Sequence, residues 1–226
     1  VGWKPTADRV PREGMIPLAP TLDSVGPLAR SVADVTLVDA VLAGSTSTPP
    51  APIALRGLRL LVPRNHVLAG LDDAVACAFW GAVSRLRAAG ALVDAAAIHR
   101  RASFGGAESW AWHRALLAAH GDRYDPRVRE RIEAGQYVTP RALAALGRAR
   151  VRWQTDLHRE TAGSAALLWP TVAIVAPTIS ALASDDEFAR LNALVLRNTF
   201  VVNFLDGCAV SLPCHAPEAA PVGIMI

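Results

Sequence analysis

Lysine is almost absent from this sequence: of 23 basic residues, Lys4 alone is not arginine. A Ser-Lys arrangement of the S-x-x-K type therefore has one lysine to draw on, and Lys4 stands between Trp3 and Pro5 with no such serine partner. The arginines are scattered and the net charge is only +3, so no basic stripe marks a nucleic-acid surface. Cysteine is scarce too. Cys77, Cys208 and Cys214 are odd in number and lack C-x-x-C spacing, so neither a disulfide framework nor a zinc ribbon is suggested and reduced thiols are expected. A long hydrophobic run is also missing. The longest, Ala165 to Ala176, falls short of the roughly 20 residues of a membrane span and contains Pro170. No basic segment followed by an apolar one opens the sequence, so no secretory leader is read and the cytoplasm is the expected location. No repeat of about 20 to 50 residues is found.

What remains is a packed globular composition, with 52% hydrophobic and 19% charged residues in 226. Ser31 and Asp34 have capping-box spacing, Val32, Val35, Val38 and Leu42 recur at helical intervals, and Gly44 follows. Together they predict a helix over 31–43. The stretch 44–52 reads as a loop because Pro49, Pro50 and Pro52 remove backbone donors. Residues 55–63 suit a strand, and Val75, Phe79, Val83 and Leu86 predict a helix from Asp72 to Ala89 stopped by Gly90. A second strand, "ALVDAAAI", follows, completing a parallel crossover unit. Residues 105–160 read as two or three charged amphipathic helices. Beyond them, "ALLWPTVAIVAP" predicts a buried strand, "DDEFARLNALVLRNTFVVNFL" a helix through its first two thirds, and "AVSLP" and "PVGIMI" two closing strands. Lys4 and its neighbours are expected in a turn, and both termini read as interior to a larger fold.

Few constellations carry chemistry by themselves. Asp206, Ser211 and His215 fall within ten residues, but Ser211 lies in an apolar strand with no G-x-S-x-G elbow, so a structural role is preferred. His113 and His120 with Asp122 match no zinc spacing and read as packing or solvated side chains. Gly105 and Gly106 make no phosphate loop, and Arg127, Arg129 and Arg131 with Glu130 and Glu133 read as a solvated helical face.

The opening "VGWKPTADRVPREGMIPLAPTLDSVGPLARSVADV" resembles the segment that follows the catalytic core of the amidase signature family. The family form is G-L-K-P-T-x-G-R-V-S-R-x-G-x-x-P-x-x-x-S-L-D-x-V-G-P-x-A-R-[ST]-V-x-D. "YDPRVRERIEAG", "LLWPTVAIVAP" and "RNTFVVNFLDGCAVSLPC" are similar to further family blocks, so the resemblance extends over the whole chain. It implies an α/β/α sandwich around a mixed twisted sheet, with residues 1–226 part of one such domain and 105–160 a helical cover.

The implied reaction is hydrolysis of a carboxamide by a Ser, cis-Ser, Lys triad, without metal or cofactor. All three triad positions are expected upstream of Val1, so no catalytic residue is assigned in this chain. Lys4 matches the K-P-T lysine, a different position from the base. Asp206 and Cys208 stand where the family commonly has Gly and Pro. Leu196 replaces an aspartate found in the glutamyl-tRNA amidotransferases of this family, which argues against glutamine as substrate. Arg131 aligns with an arginine that contacts substrate in those amidotransferases, and Trp169 and Thr171 are candidates to line an acyl pocket, with core packing the competing role for Trp169. The expected partner is a small-molecule amide, with a homodimer allowed and neither nucleic acid nor membrane engaged. The alternative readings are a catalytically incomplete amidase-like binding or assembly module, and a generic α/β small-molecule binding domain.

Overall fold

The structure, a computed structural model, describes residues 1–46, 48–64, 66–96 and 105–226. The crossover predicted from the sequence is present: β2 (Arg59–Pro63) runs parallel to β3 (Leu92–Ala96) and the helix α2 (Asp73–Ala88) connects them. Asp72 caps that helix by accepting from Val75 N at 2.7 Å, and Gly90 adopts φ +96°, a left-handed exit that an L side chain would resist. Residues 55–58, expected as strand, form a turn instead, because Gly57 sits at φ +77° and its N–H is drawn to Gly90 O. The end of "ALVDAAAI" (97–98) and the start of "SFGGAE" (103–104) lie outside the described residues.

The first helix, α1 (Val32–Leu42), follows its sequence signals, with Ser31 accepting from Asp34 N at 3.1 Å and Gly44 at φ +60°. Three helices occupy 105–160: α3 (Gly105–His120), α4 (Pro126–Glu133) and α5 (Pro140–Glu160). Asp125 and Thr139 cap the latter two, each with proline at the first helical position, where its missing donor costs nothing. The last helix, α6 (Asp185–Leu205), runs its full length rather than two thirds of it. β-Branched and aromatic residues weaken its final turns locally, but Val201, Val202 and Phe204 are buried in the core, and that burial overrides propensity.

Three further sequence expectations are revised. Gly2–Lys4 is a strand, β1, and not a turn; it pairs antiparallel with β6 (Ala209–Pro213), setting Gly2 opposite Ser211. Its other side is lined by residues 26–29, where Trp3 N donates to Pro27 O and Ala29 N donates to Val1 O. The strand expected over 166–177 ends at Pro170, as β4 (Ala166–Leu167) and β5 (Trp169–Pro170), after which the chain bends. Asp72 holds that bend, its N–H donating to Ala173 O and its second carboxylate oxygen accepting from Val175 N.

β4 and β5 are one extended segment with two sets of partners. β4 pairs parallel with β2, Leu168 N donates to Leu61 O, and β5 pairs antiparallel with β7 (Gly223–Met225), which in turn pairs with β6. The segment runs from a three-stranded parallel sheet, β3-β2-β4, into a four-stranded antiparallel sheet, β5-β7-β6-β1, and its continuity gives the two together a mixed character. Side chains alternate across it as the pleat demands. Leu60, Val62, Leu168 and Ile224 pack with Val75, Phe79 and Val83 of α2, while Trp169, Ala209 and Met225 pack with Trp153 and Leu157 of α5 and with α6. The result is an α/β/α sandwich around a mixed sheet. Burying each of Val75, Phe79 and Val83 contributes about 1.5–3 kcal/mol.

Candidate functional site

Two cavities open on the face of the sheet covered by α5 and α6. The larger, about 800 Å³, is lined by α5, β4, β5 and the turn from Leu205 to Val210. The smaller, about 210 Å³, is lined by β1, residues 26–28, Thr171, Thr199, Val202 and Asn203 of α6, Ala209, Ser211 and Met225. Trp3, Val202 and Ala209 border both, so the cavities share a wall.

Close backbone packing makes the smaller cleft. Gly26 faces Trp3 so tightly that a Cβ there would come within 2.0 Å of Trp3 O. Trp3 is fixed in turn by α1, its indole donating to the Asp39 carboxylate at 3.0 Å, where the Arg9 guanidinium also binds at 2.6 Å. The connector between them is pinned by α3: Ser109 donates to Leu18 O, Glu108 accepts from Thr21 N at 2.8 Å, and His113 meets Pro17 O and Tyr124 Oη. His113 is thus a packing residue joining loop to helix, as its isolated spacing suggested.

Lys4 borders the cleft, and two of its three ammonium donors are taken by backbone carbonyls. Nζ donates to Pro5 O and to Gly207 O, both at 2.8 Å, tying β1 to the turn after α6. Burial lowers its pKa below the ordinary 10.5, an effect partly offset by Asp206 and Cys208 nearby. Asp206 ends α6 at φ +56°, ψ +33° and accepts from Ala7 N. That left-handed backbone is one that a residue with a Cβ adopts only with strain. Asp206, Ser211 and His215 do not converge. Ser211 Oγ pairs with Thr171 Oγ1 at 2.6 Å, and His215 Nδ1 meets the backbone of Val222.

Of the three candidate pocket residues, two are brought near each other. Thr171 lines the smaller cleft. Trp169, only 4% exposed, borders the larger cavity while packing in the core beside Val202 and Phe204, and its indole N–H is buried without a hydrogen-bond partner. Arg131 is exposed on α4 and borders neither cavity. Its neighbour Arg127 is not merely solvated: it pairs with Asp185, donates to Leu182 O and Ala183 O, and lies over the Phe188 ring, locking α4 to the start of α6. Sequence reasoning missed Thr199, Asn203 and Ser211 as cleft residues; their spacing on one helix and one strand points to no shared site until the chain is folded. Among the described residues, no group of three His, Cys, Asp or Glu side chains converges as a metal site would require, and no helix is long and apolar enough to cross a membrane.

A family model described as Amidase matches residues 1–226. The chain belongs to the amidase family. Among curated relatives, it is 33% identical over 245 residues to 2-amino-5-chloromuconic acid deaminase of Comamonas testosteroni, covering 100% of this chain and 52% of that protein. It is 26% identical over 256 residues to indoleacetamide hydrolase of Allorhizobium ampelinum, covering 100% and 54%. A crystal structure of an amidase superposes with a TM-score of 0.82 at 25% identity over 99% of this chain and 53% of that one. The chain therefore spans about half the length of the amidase-family relatives it matches.

Proposed function

We propose that the protein carrying this chain hydrolyses the C–N bond of small carboxamides through a serine acyl-enzyme, and that this chain supplies scaffold and acyl-pocket wall. The observation that carries the reading is the smaller cleft. In a chain that is amidase-like throughout, it gathers the K-P-T strand, the threonine of the "LLWPT" block and the serine of "AVSLP" around one space of about 210 Å³. That is below the 300–1,000 Å³ typical of drug-sized ligands and suits an acyl group of a few heavy atoms.

The proposed route uses a nucleophile, a cis-serine and a lysine base, none of which is assigned to a residue of this chain. The serine oxygen adds to the amide carbonyl, its proton passing by way of the base to the leaving nitrogen. Ammonia or amine departs, and water then cleaves the ester to the carboxylic acid. Thr171 forms the cleft wall and Trp169 buttresses it from the core, while Arg131, outside both cavities, has no part in this arrangement. The names of the relatives, a deaminase and an acetamide hydrolase, describe C–N chemistry and support the reading. The test is ammonia release from a panel of aliphatic and aryl carboxamides by the intact protein, together with fluorophosphonate labelling of a serine. Release and labelling are expected. Binding of the amides with neither would overturn the hydrolase reading in favour of a catalytically incomplete binding module.

A further inference from the structure

Thr171, in the bend after β5, and Ser211, on β6, stand 40 residues apart in sequence, yet their hydroxyls meet at 2.6 Å on the wall of the smaller cleft. Two hydroxyls carry two protons. One is consumed by their mutual bond, and neither oxygen makes another hydrogen bond among the described residues, so one O–H remains to be donated. The pair is also given room by the backbone. A Cβ at Gly223 would lie 2.6 Å from Ser211 Oγ and 2.8 Å from Thr171 Oγ1, so only glycine at that position of β7 leaves both hydroxyls where they are. Both segments are held fixed: Thr171 N donates to Gly223 O and the preceding Pro170 O accepts from fully buried Asn198 at 2.7 Å, while Ser211 is paired with Gly2 on one side and Met225 on the other. The one charged side chain lining the cleft among the described residues, Lys4, gives two of its three ammonium donors to Pro5 O and Gly207 O.

We infer that the Thr171–Ser211 pair is a specificity-determining donor for the acyl part of the substrate, selecting small carboxamides that carry an oxygen acceptor close to the amide. The inference rests on the amidase reading above and adds the substrate class. A purely apolar pocket would favour the more hydrophobic of two isosteric amides, whereas a half-buried hydroxyl left unpaired by an all-carbon chain favours the ether. 2-Methoxyacetamide and butyramide differ only by an ether oxygen in place of a methylene, so they isolate this effect.

The experiment measures kcat/KM for both amides with the intact protein and, independently of turnover, their competitive binding by ligand-observed NMR. Both measurements are repeated on the Thr171→Val/Ser211→Ala double variant. The expected result is a preference of about tenfold for 2-methoxyacetamide, the scale of one net hydrogen bond, falling to near unity in the variant. A merely structural role would depress both substrates alike and preserve the ratio, and that outcome overturns the inference. Equal treatment of the two amides by the unsubstituted protein also overturns it while leaving the amidase reading intact. A binding preference that the double variant abolishes, without ammonia release, keeps the donor pair and removes the amidase reading. Binding of neither amide overturns the inference.

Discussion

Replacing Asn198 by alanine tests how the cleft is braced from beneath. The side chain is 0% exposed and uses three of its hydrogen-bonding positions: Nδ2 donates to Val67 O at 3.0 Å and Pro170 O at 2.7 Å, and Oδ1 accepts from Arg197 Nε at 3.1 Å. After truncation Val67 O keeps the Arg197 guanidinium at 3.4 Å, and Arg197 keeps Ala69 O, so those groups are partly compensated. Pro170 O loses its side-chain donor in a fully buried place, a cost of about 1–3 kcal/mol. The lost bond to Val67 and the small void add roughly 1 kcal/mol. The expected destabilisation is about 3 kcal/mol, a large share of a typical folding free energy. In urea, with a slope of about 3 kcal/mol per molar, the unfolding midpoint falls by about 1 M. Asn198→Asp supplies the control. It is nearly isosteric and leaves no void, yet sets a carboxylate against two carbonyl oxygens, so it should lose at least as much at neutral pH. A shift below about 0.3 M for the alanine variant, at unchanged slope, would refute the bracing role.

Gly26→Ala forces a methyl to within 2.0 Å of Trp3 O and 2.8 Å of Pro5 Cδ, both on rigid backbone or ring, so a loss of about 3 kcal/mol or more is expected by chemical denaturation, together with weakening of the proposed amide binding at the cleft. Asp206→Gly relieves a left-handed residue and should stabilise the fold by about 0.5–1 kcal/mol net of the lost contact to Ala7 N; destabilisation would show that the carboxylate matters more than the backbone. Because burial holds the Lys4 pKa below 10.5, the folded protein releases that proton before the unfolded chain does, and the penalty of the buried ammonium fades as pH rises toward 10.5. The stability difference between wild type and Lys4→Met should therefore move in favour of wild type from neutral pH toward 10.5, and a flat or falling difference in paired denaturation curves contradicts the assignment.

Local chemistry was readable where it was complete within a few residues. Ser31 with Asp34, Asp72 with Val75, and the glycines at 44 and 90 each form a self-contained start or stop, and α1 and α2 appear where those signals stand. β1 has only three residues before Pro5, too few to show a period, and becomes a strand through its partner β6. The final turns of α6 contain residues that locally favour strands, and only their burial against α5 decides for helix. The family block around Thr171 made that residue visible as a pocket candidate. Ser211 read as part of an apolar strand, because the facts that give it a role, Thr171 across the sheet and glycine at 223, are distant in sequence.

The seam at Leu168 also orders events in time. The parallel half can begin within residues 59–96, where β2, α2 and β3 are contiguous and the loop entropy to be overcome is modest. The antiparallel half cannot: Gly2 meets Ser211 more than two hundred residues away, and β7 must arrive at residues 223–225 before β5 has its partner. Contacts of that separation form slowly. The small cleft, walled by β1, β6 and Met225, is therefore expected among the last features to assemble. Slowing the closure of β1 onto β6 should delay recovery of the proposed amide binding after refolding without delaying the secondary-structure signal of the β2–α2–β3 unit.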